Sequence, residues 1–351
     1  MNMKWSMSFL ALSGALAYAL IFLAQSDGDA VAESERSADL NAPAPVAVAE
    51  AIDGSLDDSA TADVAELVTV DPTEETSQSN FDDPWKAGVS AFQQGDMTVA
   101  LAALKASVEE RTNSAYRHFL LGLAFRRSGE LEAAVTELDR SRTLAPENVK
   151  TLVALGRAQL DVGNPEAARE AVDRSLDLDL DNADAWHVLG RIESSSGNVD
   201  EAEAAFRGAV TRDADHAWAW NNLGYLYIQQ ERFDAARDAL LHAVQSPNAD
   251  AVFFNNLGVA YERTEDLSRA ALAYAKADLL GSEASTLNHE RVAGILDARG
   301  ESYAGADSIE TLSNDELLAA LEPDVEDADA AIAQLDPMTD FDDEPAEESK
   351  D

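Results

Sequence analysis

The sequence predicts an all-α solenoid of antiparallel helix pairs, and three regularities predict it. Glycine returns every 34 residues, at Gly88, Gly122, Gly156, Gly190, Gly224 and Gly258. Alanine returns at the same interval, at Ala100, Ala134, Ala168, Ala202, Ala236 and Ala270. A further glycine follows the first by seven residues, at Gly95, Gly129, Gly163 and Gly197. Self-similarity at a fixed period of a few tens of residues marks a stacked repeat in which each unit covers the apolar face of its neighbour.

Each period reads as two helices and a tight turn. The first glycine column follows leucine at Leu121, Leu155, Leu189, Leu223 and Leu257, which places it inside the first helix. Glycine in a helix interior costs about 1 kcal/mol against alanine, so a whole column of it implies close approach by a partner helix. The alanine column sits early on the second helix and allows the same close contact. The later glycine supplies the left-handed residue that ends a helix. In the last two periods Glu231 and Glu265 stand there instead, which predicts less relaxed turns. Trp186, Trp220 and Phe254 on first helices, with Phe206 and Tyr274 on second helices, fill the space between them. Asp83 followed by Pro84 marks a helix start, an N-cap with proline in the first turn.

Trp220, Leu223, Gly224, Tyr227, Ala236 and Ala243 resemble the signature of the tetratricopeptide repeat, and Pro146 keeps its proline. The resemblance covers residues 82–284 as six tandem 34-residue repeats without an insertion. It implies a right-handed superhelix whose first helices line a concave groove, and a non-catalytic scaffold or adaptor that holds a protein or peptide segment there. Two other readings stand beside it: a regulatory or substrate-binding part of an enzyme system such as glycosyl transfer, and a self-assembling structural repeat protein.

The flanks have a different character. Lys4 precedes 22 uncharged residues, Trp5 to Ser26, mostly apolar as far as Ala24. Twenty helical residues span about 30 Å, enough to cross a bilayer. Residues 1–32 therefore read as a transmembrane anchor, or as a signal peptide cleaved after Ala30-Val31-Ala32. Either reading exports the repeats, to the outer face of the inner membrane or to the periplasm or beyond. Residues 33–81 are rich in Ala, Pro, Ser, Thr, Asp and Glu, with Arg36 the sole cation, and read as a disordered linker. A capping helix is expected over residues 283–299, closed by Gly300, with Leu287, Val292, Ile295 and Leu296 on its apolar side. Residues 301–351 hold 18 acidic residues and Lys350 alone as a cation. They read as a disordered acidic tail, interrupted by a helix candidate at Ser313–Leu321, where Ser313 and Glu316 form a capping-box pattern ahead of Leu317, Leu318 and Leu321.

Composition narrows the function. The chain of 351 residues carries 67 acidic and 25 basic residues, a formal charge of −42. That balance excludes a general grip on nucleic-acid phosphates and leaves the N-terminal segment as the expected route to a membrane. There is no cysteine, hence no disulfide and no thiolate site. The five histidines show no ligand spacing, and the string Asp177, Asp179, Asp181 lacks the glycine and closing glutamate of a calcium loop. No metal and no cofactor are expected.

The candidate binding residues follow from repeat phase. In repeats two to four the groove positions give Arg126, Arg127, Lys150, Arg157, His187 and Arg191, a basic stretch in an acidic chain. In repeats five and six they give Trp218, Asn221, Asn222, Tyr225, Asn255, Asn256 and Arg263, a stretch of amides and aromatics. Asn222 and Asn256 stand one repeat apart, as in the asparagine ladder of O-linked N-acetylglucosamine transferases, and that resemblance implies hydrogen bonds to an extended peptide backbone. The acidic tail and the basic stretch are of opposite sign, so the tail is expected to compete for the groove.

Overall fold

The computed structural model describes residues 83–303, 309 and 312–322. The expected export segment, the linker and the rest of the acidic tail lie outside the described residues. Among the described residues there are fourteen helices and no strand. They pair in chain order: α1 (Pro84–Gln93) with α2 (Met97–Glu110), α3 (Ala115–Arg127) with α4 (Leu131–Leu144), α5 (Val149–Asp161) with α6 (Pro165–Leu178), and α7 (Ala183–Ser195) with α8 (Val199–Arg212). α9 (Ala217–Gln229) pairs with α10 (Phe233–Val244), and α11 (Ala251–Arg263) with α12 (Leu267–Leu279); α13 (Glu283–Arg299) and α14 (Asn314–Leu321) follow.

Short polar side chains set the helix starts. Asp83 Oδ1 accepts from the Trp85 backbone N–H at 3.0 Å, with Pro84 as the first helical residue. Ser114, Asn148 and Asn182 cap α3, α5 and α7 in the same manner. At the expected turns Gly95, Gly129, Gly163 and Gly197 have φ between 78° and 81°. Glu231 and Glu265 adopt the same left-handed conformation, at φ 59° and 66°, despite carrying a Cβ.

The glycine column is required by packing. A Cβ on Gly190 would lie 2.4 Å from Phe206 Cδ1, and one on Gly224 would lie 2.5 Å from Leu240 Cγ. The obstructing atoms belong to a large residue in the middle of the second helix. The six column alanines are all fully buried at the same seam.

α13 packs on α12 and is closed by Gly300 at φ 68°. Val292 and Leu296 are buried there, but Leu287, expected on the same side, is 66% exposed. Within the acidic tail Asn314–Leu321 forms a helix, with the capping box of Ser313 and Glu316 in place. Its Leu317 and Leu321 join the apolar core of the last repeats, against α12 and Tyr261 of α11. This leucine-bearing part of the tail therefore lies in repeat six, away from the arginines of repeats two to four that it was expected to cover.

Candidate functional site

All thirteen candidate residues lie on first helices: Arg126 and Arg127 on α3, Lys150 and Arg157 on α5, His187 and Arg191 on α7, Trp218, Asn221, Asn222 and Tyr225 on α9, and Asn255, Asn256 and Arg263 on α11. Phase brings them to one face, but most of them are buried between successive repeats.

The basic stretch is neutralised by acids that share its face. Arg126 Nε donates to Asp161 Oδ2 at 2.6 Å, and Arg191 donates to Asp161 Oδ1 at 3.2 Å, so one carboxylate of repeat three bridges repeats two and four. Arg157 is paired with Asp184 of the next repeat. Burial alone would raise the Asp184 carboxyl. The Arg157 guanidinium, the hydrogen bond and charge of His216 and the charge of His187 outweigh it and hold the group well below the usual carboxylate range. Three arginines of the expected basic stretch are thus structural ion-pair partners, buried because a paired guanidinium can leave water. Arg127 lies over the Phe92 ring at 5.6 Å, and Lys150 is half-buried.

The histidine and the amides form a second chain of contacts. His216 caps α9, its Nδ1 accepting from the Ala219 backbone N–H at 3.2 Å. Its ring stands edge-on to His187, with centroids 4.8 Å apart. Asn221 Nδ2 donates to Asn222 Oδ1 at 3.3 Å, which leaves Asn222 Nδ2 to donate to His187 Nε2 at 2.9 Å. Asn256 Nδ2 donates to Asn221 Oδ1 at 3.1 Å. Asn255 Oδ1 accepts from Ser285 Oγ at 2.9 Å and from Asn288 Nδ2 at 3.2 Å. Among the side-chain amides of this cluster, Asn255 Nδ2 and Asn256 Oδ1 are buried with no hydrogen-bond partner among the described residues. A buried polar atom left unpaired costs roughly 1–3 kcal/mol, so a donor and an acceptor on successive residues of α11 are notable.

Aromatic contacts flank the amides. Trp218 meets Phe253 edge-on at 4.8 Å, Tyr225 is buried, and the exposed Arg263 lies over the Phe233 ring at 4.4 Å. Further along the face a cavity of about 80 Å³ opens beside Phe119, Lys150, Ala154, Arg157 and Asp184. Asp161, Asp184 and His216 are the participants that sequence reasoning missed. A signal was present, because Asp161 and Asp184 occupy groove phases of repeats three and four, beside Lys150, Arg157, His187 and Arg191.

The pairing of short helices, the packed glycine column and the polar contacts between repeats define an all-α helical-repeat protein. The family model for the tetratricopeptide repeat matches residues 86–149, 153–217, 187–251 and 221–284. These stretches cover more than half of the chain, and the chain belongs to the tetratricopeptide-repeat family. Such repeats make it a protein–protein interaction scaffold. None of the curated proteins matches it. Among solved structures, a tetratricopeptide repeat protein from Parabacteroides merdae is 18% identical, with a TM-score of 0.52, over 69% of this chain and 97% of that one. A chain of the APC/C hetero-tetramer Cut9–Hcn1 is 16% identical, with a TM-score of 0.53, over 69% of this chain and 47% of that one. MamA is 23% identical, with a TM-score of 0.39, over 45% of this chain and 92% of that one. At these identities the likeness is one of fold.

Proposed function

We propose that this scaffold is non-catalytic and seats an extended peptide segment of a partner along the first helices, from Lys150 past the amide cluster to Trp218 and Arg263. The observation that carries the reading is the pair of unsatisfied amide atoms. Asn255 Nδ2 can donate and Asn256 Oδ1 can accept, the two hydrogen-bonding roles that a peptide backbone complements. Both amides are fully buried in the unbound chain, so the reading requires these side chains to shift on binding. Trp218 supplies an apolar wall on the same helix face, and the neutralised arginines set the register of the repeats. The partner is of mixed or low charge on this reading, because Asp161 and Asp184 already hold the inner arginines.

The scaffold works outside the cytoplasm on this proposal, tethered or released by residues 1–32 and held off the membrane by residues 33–81, in the service of cell-envelope assembly. Groove binding is tested by placing a photo-crosslinking aromatic amino acid at Trp218 and, as a control, at exposed Ser195, in intact cells. A discrete adduct at position 218 that is lost on Asn255→Ala with Asn256→Ala, in a chain that still melts cooperatively, is the expected result. Equal adducts at both positions, or an adduct indifferent to the asparagines, would overturn it.

A further inference from the structure

Repeat three lacks a ring that its neighbours share. Four residues before the column glycine, repeats two, four, five and six carry His118, Trp186, Trp220 and Phe254, whereas repeat three carries Leu152. In three of these places a ring N–H serves a carbonyl six residues earlier. His118 Nε2 donates to the Thr112 carbonyl at 3.1 Å, Trp186 Nε1 to that of Leu180 at 2.8 Å and Trp220 Nε1 to that of Ala214 at 2.8 Å. The corresponding carbonyl of repeat three belongs to Pro146, an exposed residue, and no hydrogen bond reaches it among the described residues. The missing ring leaves a crevice of about 390 Å³ between α4, α5 and α6, with Pro146, Leu152, Leu155, Ala171, Arg142 and Arg174 in its walls.

Those walls match an indole and not an imidazole. His118 is held by a second contact, from Nδ1 to Glu137 Oε2 at 2.6 Å. The residue equivalent to Glu137 is Ala171 in repeat three, Ala205 in repeat four and Ala239 in repeat five, all buried. Repeat three thus has the alanine that accompanies tryptophan, without the tryptophan. A second position agrees. Trp220 stacks on His242, with centroids 4.4 Å apart and planes at 20°. At the equivalent place Trp186 lies against Gly208, where a Cβ would be 2.9 Å from its Cε3, and Arg212 sits over its ring at 4.5 Å. Repeat three carries Arg174 at the place of His242. The Arg174 guanidinium is held loosely, 3.9 Å from Glu147 and 4.0 Å from Asp177, with 48% of the side chain exposed. A cation over an aromatic face is attractive, most of all over indole. The charge pattern of the crevice therefore complements one side chain: an acceptor for a ring N–H, a cation for the π-face, and an apolar floor of Leu152, Leu155 and Ala171.

We propose that this crevice binds a tryptophan side chain presented by a partner protein, its indole N–H donating to the Pro146 carbonyl and its ring lying against Arg174. The site is separate from the groove, since none of the thirteen groove candidates lines it. Pro146 and Arg174 are exposed, so a tryptophan on a loop or chain end of the partner reaches the crevice directly from solvent. A partner anchored there leaves the first helices open to a second contact.

The probe is the peptide acetyl-Gly-(5-fluorotryptophan)-Gly-amide, followed by its fluorine NMR linewidth in the presence of the full chain. Binding on the order of millimolar is expected for a single side chain. Leu152→Trp, which puts the chain's own ring in the crevice, should abolish the broadening. The same peptide methylated on the indole nitrogen should bind about two- to ten-fold more weakly, for the loss of one hydrogen bond. Arg174→Ala should weaken the unmethylated peptide by about two- to five-fold. Should Leu152→Trp fail to fold, Arg174→Ala, at an exposed position, and the methylated peptide decide. Broadening that survives Leu152→Trp, an affinity indifferent to both methylation and Arg174→Ala, or no broadening by the native chain overturns the proposal. So does free 5-fluoroindole binding several-fold more tightly than the peptide, which would make the crevice a small-molecule site. Tighter peptide binding by Trp5→Phe would make the chain's own Trp5 the occupant, and would overturn the assignment to a partner.

Discussion

Gly190 shows how one atom sets the architecture. Its hydrogen faces Phe206 at a distance where a Cβ would be 2.4 Å from the ring, so any side chain must drive α7 and α8 apart. Gly190→Leu is expected to lower stability by about 1–3 kcal/mol or more, the range for overpacking. Ser195→Leu, at an exposed position on the same helix, should stay within about 0.5 kcal/mol of native. Equal melting temperatures for the two variants would show that the repeat phase is misplaced. The polar side of the same seam responds to pH. The Asp184 carboxyl is held below its ordinary range, so the stability it contributes is fully present above the unfolded value near 3.9 and is lost as pH falls toward the folded value. Asp184→Asn should therefore be less stable than the native chain at pH 7 by roughly 1–3 kcal/mol, with Arg157 and His216 deprived of their carboxylate. The gap should narrow below about pH 4. Urea unfolding of both proteins at pH 7 and pH 3 checks this, and a gap that widens in acid would refute it.

At the scale of the helix, substitutions at one repeat position act as built-in comparisons. Trp186 and Trp220 occupy equivalent places on α7 and α9, and each donates its indole N–H at 2.8 Å to a carbonyl six residues earlier, Leu180 and Ala214. On α5 the same place holds Leu152, and the missing ring leaves a crevice of about 390 Å³ lined by Pro146, Leu152, Leu155, Ala171, Arg142 and Arg174. Leu152→Trp should fill it, with the Pro146 carbonyl in position to accept the new N–H, and raise stability by about 0.5–2 kcal/mol. A calorimetric melt at or below the native temperature would show the crevice too shallow for the ring. The helices, their pairing and their turns were legible in the sequence because a 34-residue period repeats the same packing problem six times. Even the strained turns at Glu231 and Glu265 could be read by comparing columns. The state of the candidate site was not legible to the same degree. Arg126, Asp161 and Arg191 meet at separations of 35 and 30 residues, offsets that depend on how neighbouring repeats are rotated and not on the period itself. Phase indicated which face they share; only the packed structure shows that they neutralise one another there. Leu287 failed for a related reason, since α13 packs on α12 and, among the described residues, no following repeat covers its other side.

The whole molecule couples these seams into a line. Interior repeats touch two neighbours and the ends touch one, so stability accumulates along the array and the caps matter disproportionately. Here α13 and α14 both cover the end at repeat six. No helix among the described residues is long and apolar enough to cross a membrane, and the proposed export rests on residues 1–32. The 22 uncharged residues after Lys4 are followed by Asp27 and Asp29, and the positive-inside tendency orients such a segment with its C-terminal side away from the cytoplasm. With a reporter that is active only outside the cytoplasm fused after Asn80, cells should show activity, and Lys4→Glu should reduce it by weakening the orientation signal. Fractionation then separates the two forms of the proposal. Membrane recovery resistant to high salt marks a retained anchor, whereas a soluble product beginning at Glu33 marks cleavage after Ala32. An inactive fusion recovered intact from the cytoplasm would remove export from the proposed function and leave the scaffold to act on cytoplasmic partners.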